Sequence, residues 1–266
     1  MPENFRSPSK IAKRFKYLPA IFSGVKNWPQ FMRNYAWGIK PEGPYILRNG
    51  AQLKINRALD HVPIIEVFLR EDYGQIPDNS TILDLGASTG VFSIYAATNA
   101  RNVKIFAYEP LKSFYELMLE NVSANRQENN IRCFNLAVAA DGRPRRLFIE
   151  GTAFFFPTLV GAPNDEQLCA IEVSCTTLAE IIESNELETV DLLKMDCEGA
   201  EYEILYQASD SCFHHIKEIR MEYHNLDQDG RNVESLKEFL IKHAYVITHL
   251  RANSLTNGSL WAKKVI

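Results

Sequence analysis

Thr81-Ile82-Leu83-Asp84-Leu85-Gly86-Ala87-Ser88-Thr89-Gly90-Val91 is the stretch that decides the fold. A short apolar run ends in a loop with glycine at both ends. A helical pattern follows over Val91–Thr98, with Val91, Ile94, Tyr95 and Thr98 on one side. The glycines let the backbone turn tightly and pass close to a neighbour or a ligand. A strand that runs through a glycine loop into a helix is half of a βαβ unit, so the chain around it should form a parallel sheet.

The alternation continues in both directions. Val103–Tyr108 reads as a strand, Leu111–Val122 as a helix facing inward with Leu111, Phe114, Tyr115, Met118 and Val122, and Ile131–Ala137 as a strand. An insertion follows, in which Arg145–Ile149 and Ala170–Thr176 read as strands around a loop at Gly151–Gln167. Val190–Asp196 is a buried strand with a short helix from Gly199. Strand Ile216–His224, helix Val233–His243 and strands Tyr245–Leu250 and Ser259–Val265 complete the pattern. About seven residues separate the last two strands, too few for a parallel crossover, so they should form an antiparallel hairpin. The expected architecture is α/β: a mostly parallel sheet with helices on both faces.

Upstream, Tyr45–Leu47 and Gln52–Ile55 flank Arg48-Asn49-Gly50-Ala51, a hairpin signal. Val62, Ile65 and Leu69 make a helical stripe ending near Tyr73-Gly74. The first 40 residues hold eight Lys/Arg against one acid, a net of +7, and eight aromatics. Ser9 to Tyr17 alternates basic and aromatic residues and suits an amphipathic helix, either capping the main domain or meeting a membrane or a partner. Residues 1–43 are therefore expected to be a basic, aromatic helical extension, and 44–266 one domain.

Of the 266 residues, 46% are hydrophobic and 23% charged, which excludes a disordered chain, a fibre or a coiled-coil rod. The net charge of −4 leaves −11 outside the first 40 residues and offers no general affinity for nucleic acid. No apolar run approaches a membrane span, and the N-terminus lacks the apolar stretch of a signal peptide. Five cysteines without C-x-x-C spacing read as reduced thiols. A cytoplasmic protein, peripheral to a membrane if residues 1–40 bind one, fits these features.

The loop Asp84–Gly90 lacks the dinucleotide fingerprint, because Ser88 holds the place of its second glycine. Glu109 closes the second strand, where an acid can accept hydrogen bonds from both hydroxyls of a ribose. A nucleoside cofactor without a diphosphate, such as S-adenosylmethionine (SAM), fits that pair of features. Asp84, Gly86, Ala87, Ser88, Thr89, Gly90 and Glu109 are the candidate cofactor residues, and Asn135 and Ala137 at the third strand end lie beside the expected adenine. Asp141-Gly142 reads as a turn.

Val190-Asp191-Leu192-Leu193-Lys194-Met195-Asp196-Cys197-Glu198-Gly199-Ala200-Glu201 carries the reaction site. Ligands of open α/β sheets bind at the carboxyl ends of strands, which places Asp196 and Glu198 at a cleft. His224 ends the adjacent strand and suits a general base. Asp196 could orient it, act as the base, or hold a divalent cation with Glu198. Glu201 suits a structural role at the helix N-terminus. His214 and His215 read as surface residues. No Asn/Asp-Pro-Pro-aromatic segment follows the strand, which argues against methylation of nucleic-acid bases. Phe154-Phe155-Phe156 in the insertion is expected to line or cover an acceptor pocket.

These segments, taken in order, resemble the FkbM family of SAM-dependent methyltransferases: Glu71-Asp72-Tyr73, Asp84–Gly90, Glu109-Pro110, Ala137 with Asp141-Gly142, Thr177-Leu178, Asp191–Glu201 and Glu222-Tyr223-His224. The resemblance implies a class I methyltransferase fold, Rossmann-like, with seven strands and the last antiparallel. It implies SAM at Gly86, Ser88, Gly90 and Glu109, and O-methylation of a sugar or secondary-metabolite hydroxyl. With the cleft residues above, it makes Asp196, Glu198 and His224 the expected catalytic set. The acceptor would be a hydroxylated small molecule, glycolipid or glycan. The alternative is a binding module that keeps the fold and is recruited to a membrane or protein through its first 40 residues.

Overall fold

The computed structural model describes residues 15–56, 60–150, 168–226 and 230–265. They fall into two compact units, 1–79 with 88–103 and 113–132, and 80–87 with 104–112 and 133–266.

In the first unit, α1 (Leu18–Gly24) and α2 (Trp28–Trp37) each carry proline in the first turn, where a missing N–H breaks no helical bond. β1 (Tyr45–Ile46) pairs antiparallel with β2 (Gln52–Leu53) across the Asn49-Gly50 turn, as its sequence dictates. Tyr45 is buried, and its hydroxyl takes the Asn34 amide at 3.0 Å and meets His61 Nε2 at 2.7 Å. Phe31 packs edge-on against the same imidazole at 4.9 Å. Asn34 Oδ1 in turn accepts the Arg33 Nε–H at 3.2 Å, so these buried polar groups are partnered.

The stripe expected at Val62, Ile65 and Leu69 is only partly right. α3 (His61–Pro63) passes into a π-helical turn, Ile64–Leu69, with Arg70 N–H donating to Ile65 O. The i+5 bond shifts the inward face, so Ile64, Ile65 and Val67 are buried while Val62 is 37% exposed. α4 (Val91–Asn99) is buried all round from Val91 to Ala97, a wider face than the expected one. α5 (Lys112–Ala124) turns Phe114, Leu117, Met118, Asn121 and Val122 inward.

The second unit carries the sheet. Its strands are β3 (Thr81–Leu85), β4 (Lys104–Tyr108), β5 (Ile131–Phe134), β10 (Leu192–Met195), β11 (Glu218–His224), β12 (Tyr245–Ala252) and β13 (Asn257–Lys264), in the order β12-β13-β11-β10-β3-β4-β5. β4, β3, β10 and β11 run parallel, and β13 is antiparallel to both β11 and β12. This is the seven-stranded class I methyltransferase arrangement, with the final hairpin folded back into the sheet. Register assigns the faces: Leu193 stands opposite Leu83 and Ile219, and Lys194 opposite Asp84 and Arg220. Leu83, Leu85, Leu193, Met195, Ile219 and Met221 thereby enter one core, and Lys194 and Asp84 point to the other face.

The third strand stops earlier than expected. It ends at Phe134, and Ala137 begins β6 (Ala137–Val138), which leaves the main sheet to pair with β9 (Cys175–Thr176). β7 (Arg145–Glu150) and β8 (Leu168–Val173) form the insertion's antiparallel ribbon. The loop with Phe154–Phe156, and residues 9–14 of the expected amphipathic helix, lie outside the described residues.

Four helices follow among the described residues of this unit, and the sequence pattern does not predict two of them. α6 (Leu178–Ser184) starts at a capping box, in which Thr177 Oγ1 takes the Glu180 N–H at 3.1 Å and the Glu180 carboxylate takes the Thr177 N–H at 2.9 Å. α7 (Glu201–Tyr206) is the expected short helix, and α8 (Asp210–His215) the other unanticipated one. α9 (Val233–Lys242) is capped by Asn232. Replacing Thr177 by Ala should cost about 1 kcal/mol of stability, read as a lower midpoint in urea with an unchanged slope.

Candidate active site

The loop after β3 is held from beneath. Lys194 Nζ lies 3.0 Å from Asp84 Oδ1 and donates to Gly86 O at 2.9 Å. Both side chains are buried. Burial works against the Lys194 charge, but the carboxylates of Asp84 and Asp196 outweigh it and raise the ammonium above its usual range. Asp84, expected among the cofactor residues, thus sits under the loop in an ion pair. Gly86 has φ +73°, and a Cβ there would collide with the Asp196 carbonyl oxygen. The ends of β3 and β10 therefore approach at backbone distance.

The rest of the loop belongs to the first unit. Ser88 takes φ +51° and Gly90 φ +81°. Thr89 O accepts the Asn121 amide at 2.9 Å, and Asn121 Oδ1 in turn accepts Lys54 N–H at 2.7 Å. Ala87 and Thr89 are buried. Asn121 is a site-shaping residue that the sequence reading missed.

Glu109 follows β4. Its N–H donates to Phe134 O at 3.0 Å, and its Oε1 accepts Leu111 N–H at 2.8 Å. Asn135 donates its amide to the carbonyls of Glu109 and Pro110, both at 2.9 Å. The Asn135 carboxamide thus braces the turn carrying Glu109. Ala137 is buried in β6. Asp141 is a turn residue that accepts Arg143 N–H and pairs with Arg143 and Arg145.

The turn between β10 and α7 is built around Glu201, whose side chain is fully buried. Its Oε1 accepts Cys197 N–H at 2.8 Å, and its Oε2 accepts Gly199 N–H at 2.9 Å. These bonds hold Glu198 at φ +51°, a left-handed backbone uncommon for a side chain of its size. Glu201 also reaches across to β11, where His224 Nδ1 lies 3.2 Å from Oε1. His224 Nε2 then faces Glu198 Oε2 at 3.4 Å. One ligand atom each from Asp196, Glu198 and His224 lie within 4.8 Å of one another. Asp196 Oδ1 is buried with no hydrogen-bond partner among the described residues. The three expected catalytic side chains therefore meet, and Glu201 is the residue that arranges them.

Four ionisable groups in one place perturb each other. Burial, then repulsion from Asp196, pushes Glu198 up to about 8. Burial also raises Asp196, against the pull of Lys194 and His224. For His224, burial opposes the charge, but the hydrogen bond and charge of Glu201, with Glu198 and Asp196, outweigh it and raise the imidazole to about 9. Such clusters of displaced titrations mark functional sites more often than structural ones.

The segment that carries these elements matches a known family. Residues 84–247 fit the model of the "Methyltransferase FkbM domain". The chain belongs to the FkbM methyltransferase family. SAM is the methyl donor that family and fold imply. The chain is 26% identical over 233 residues to the AMB antimetabolite synthetase AmbE of Pseudomonas aeruginosa, covering 73% of this chain but only 11% of that protein. It is 24% identical over 178 residues to methyltransferase sdnD of Sordaria araneosa, covering 57% of this chain and 69% of sdnD. Among solved structures, TrmK of M. capricolum with S-adenosylhomocysteine is similar at TM-score 0.46 and 12% identity, covering 73% of this chain and 66% of that one.

The FkbM site rests on the Lys194–Asp84 pair. Lys194→Met strands a buried carboxylate and should cost about 3–5 kcal/mol in urea unfolding. Adding Asp84→Leu should recover part of that loss, as a double-mutant cycle would show.

Proposed function

We propose that the protein transfers a methyl group from SAM to a hydroxyl of a sugar, glycolipid or secondary metabolite. The observation that carries this reading is the meeting of Asp196, Glu198 and His224 at the carboxyl ends of β10 and β11, with the Asp196 backbone against Gly86. The residues suit SAM: a tight glycine loop without phosphate-binding glycines, and a carboxylate at the end of β4 as a ribose diol requires. The buried Asp196 Oδ1, unpartnered among the described residues, supplies an acceptor for a ligand donor.

When bound, SAM presents an electrophilic methyl on a sulfonium. The chain's part is to place the acceptor oxygen in line with that carbon and to remove its proton. Gly86, Ala87 and Glu109 would hold the adenosine end. Asp196, Glu198 and His224 would hold the acceptor hydroxyl and accept its one proton between them when the methyl passes from sulfur to oxygen. Glu201 positions His224 and the turn that presents Glu198.

Calorimetric titration with S-adenosylhomocysteine tests the cofactor half. Glu109→Ala should weaken binding about 10–100-fold, the worth of a hydrogen bond to a charged group. Asp196→Asn and His224→Ala should keep that affinity. They should lose on the order of 100-fold or more in methylating a panel of sugar and polyketide alcohols, read as release of S-adenosylhomocysteine. Full turnover in both variants would remove the assigned roles.

A second reading concerns where the protein works. No described helix is long and apolar enough to cross a membrane. Phe22 is 54% and Trp37 49% exposed, and Lys16, Lys26, Arg33, Lys40 and Arg48 are exposed in the same segment. Aromatic side chains amid cations suit the surface of an anionic bilayer. The full chain should co-sediment with phosphatidylserine vesicles. Phe22→Glu with Trp37→Glu should reduce that at least tenfold without changing the circular dichroism spectrum. Equal sedimentation of both proteins would refute this reading.

A further inference from the structure

We propose that Asp196, Glu198 and His224 bind a divalent cation of the magnesium–manganese class, and that this cation seats the acceptor hydroxyl. The inference rests on the methyltransferase reading and adds to it a ligand that the family match does not supply.

The first observation is the donor set. Two carboxylates and one imidazole converge from the ends of β10 and β11, with ligand atoms within 4.8 Å of one another. Octahedral Mg2+ or Mn2+ holds oxygen and nitrogen ligands at about 2.0–2.2 Å, so its ligands stand about 3–4.4 Å apart. Hard oxygen donors with a single imidazole favour this class over zinc sites built on thiolates.

A second and independent observation is the way the imidazole is mounted. Metal-bound histidines characteristically donate their other ring N–H to a carboxylate, which fixes the tautomer and raises ligand basicity. His224 has that partner: Nδ1 faces Glu201 Oε1 at 3.2 Å, which leaves Nε2 toward Glu198. Glu201 is itself fixed by the N–H groups of Cys197 and Gly199. A histidine that served only as a counter-charge would not need this bracing.

The third observation is the orphaned oxygen. Asp196 Oδ1 is buried and meets no donor among the described residues. The nearby ammonium of Lys194 is engaged by Asp84 and the Gly86 carbonyl. An unbonded buried carboxylate oxygen is costly, and a cation between it, Glu198 and His224 removes that cost. Three protein ligands leave positions open for oxygen from the acceptor. A hydroxyl bound there would lose its proton more readily, as water does on a bound metal.

Titration of the metal-stripped full chain with Mn2+, followed by the loss of the free-ion electron paramagnetic resonance signal, tests this directly. One Mn2+ should bind per chain, and excess Mg2+ should displace it. Asp196→Asn and Glu198→Gln should each weaken binding at least tenfold, and Asp141→Asn, a turn carboxylate, should not. Titration of the same proteins with S-adenosylhomocysteine reports separately whether the fold and the cofactor site persist. Retained cofactor binding with no Mn2+ uptake, or with uptake that both variants leave unchanged, would overturn the metal and leave the methyltransferase reading standing. Loss of S-adenosylhomocysteine binding in the unmodified chain would instead count against the methyltransferase reading itself.

Discussion

A buried ammonium holds two strand ends together, and the site depends on that junction. Lys194 on β10 neutralises Asp84 on β3 and hydrogen-bonds the Gly86 carbonyl. On the adjoining backbone, Gly86 must lack a side chain because the Asp196 carbonyl occupies that space. The loop assigned to the cofactor and the carboxylate assigned to the acceptor are thereby fixed to each other through main chain. In-line transfer tolerates little error in donor–acceptor placement, and a rigid junction of this kind supplies the needed register. An apolar pair at the same positions could fill the volume but could not hold the Gly86 carbonyl.

Much of this is legible in the sequence. The glycine loop, Glu109 at the next strand end and the carboxylates after a buried strand each carry their placement in local sequence. Strand ends gather at one edge of a parallel sheet whatever the intervening loops contain. The final hairpin was equally readable, since its short connection excludes a crossover. Asp196, Glu198 and His224 needed only the assumption that neighbouring strands run parallel.

What escaped the reading has physical causes. Glu201 looks like an ordinary first-turn acid, and only the tertiary path of β11 turns it into the support of His224. Asn121 is one polar residue on an otherwise amphipathic helix, and its bonds to Lys54 and Thr89 join segments far apart in sequence. Asn135 had the right place, but its amide is directed to backbone carbonyls. The π-helical turn at Ile64–Leu69 shifts a hydrophobic face by one residue, which a period of 3.6 cannot anticipate. Helix α6 is different: Thr177 and Glu180 spell a capping box, so that signal was present and simply unused.

The sheet order also constrains when the molecule can become whole. β13 lies between β11 and β12, antiparallel to both, although it is made after them. As the chain emerges from a ribosome, β12 appears with no strand to pair with, and β11 keeps an open edge. Neither can be satisfied until Asn257–Lys264 has been synthesised and inserted. His224 ends β11 directly opposite Asn257, so the edge that carries it is among the last parts to be secured. Nascent chains halted before β13 would expose two unpaired edges at once, the condition under which strands find the wrong neighbour.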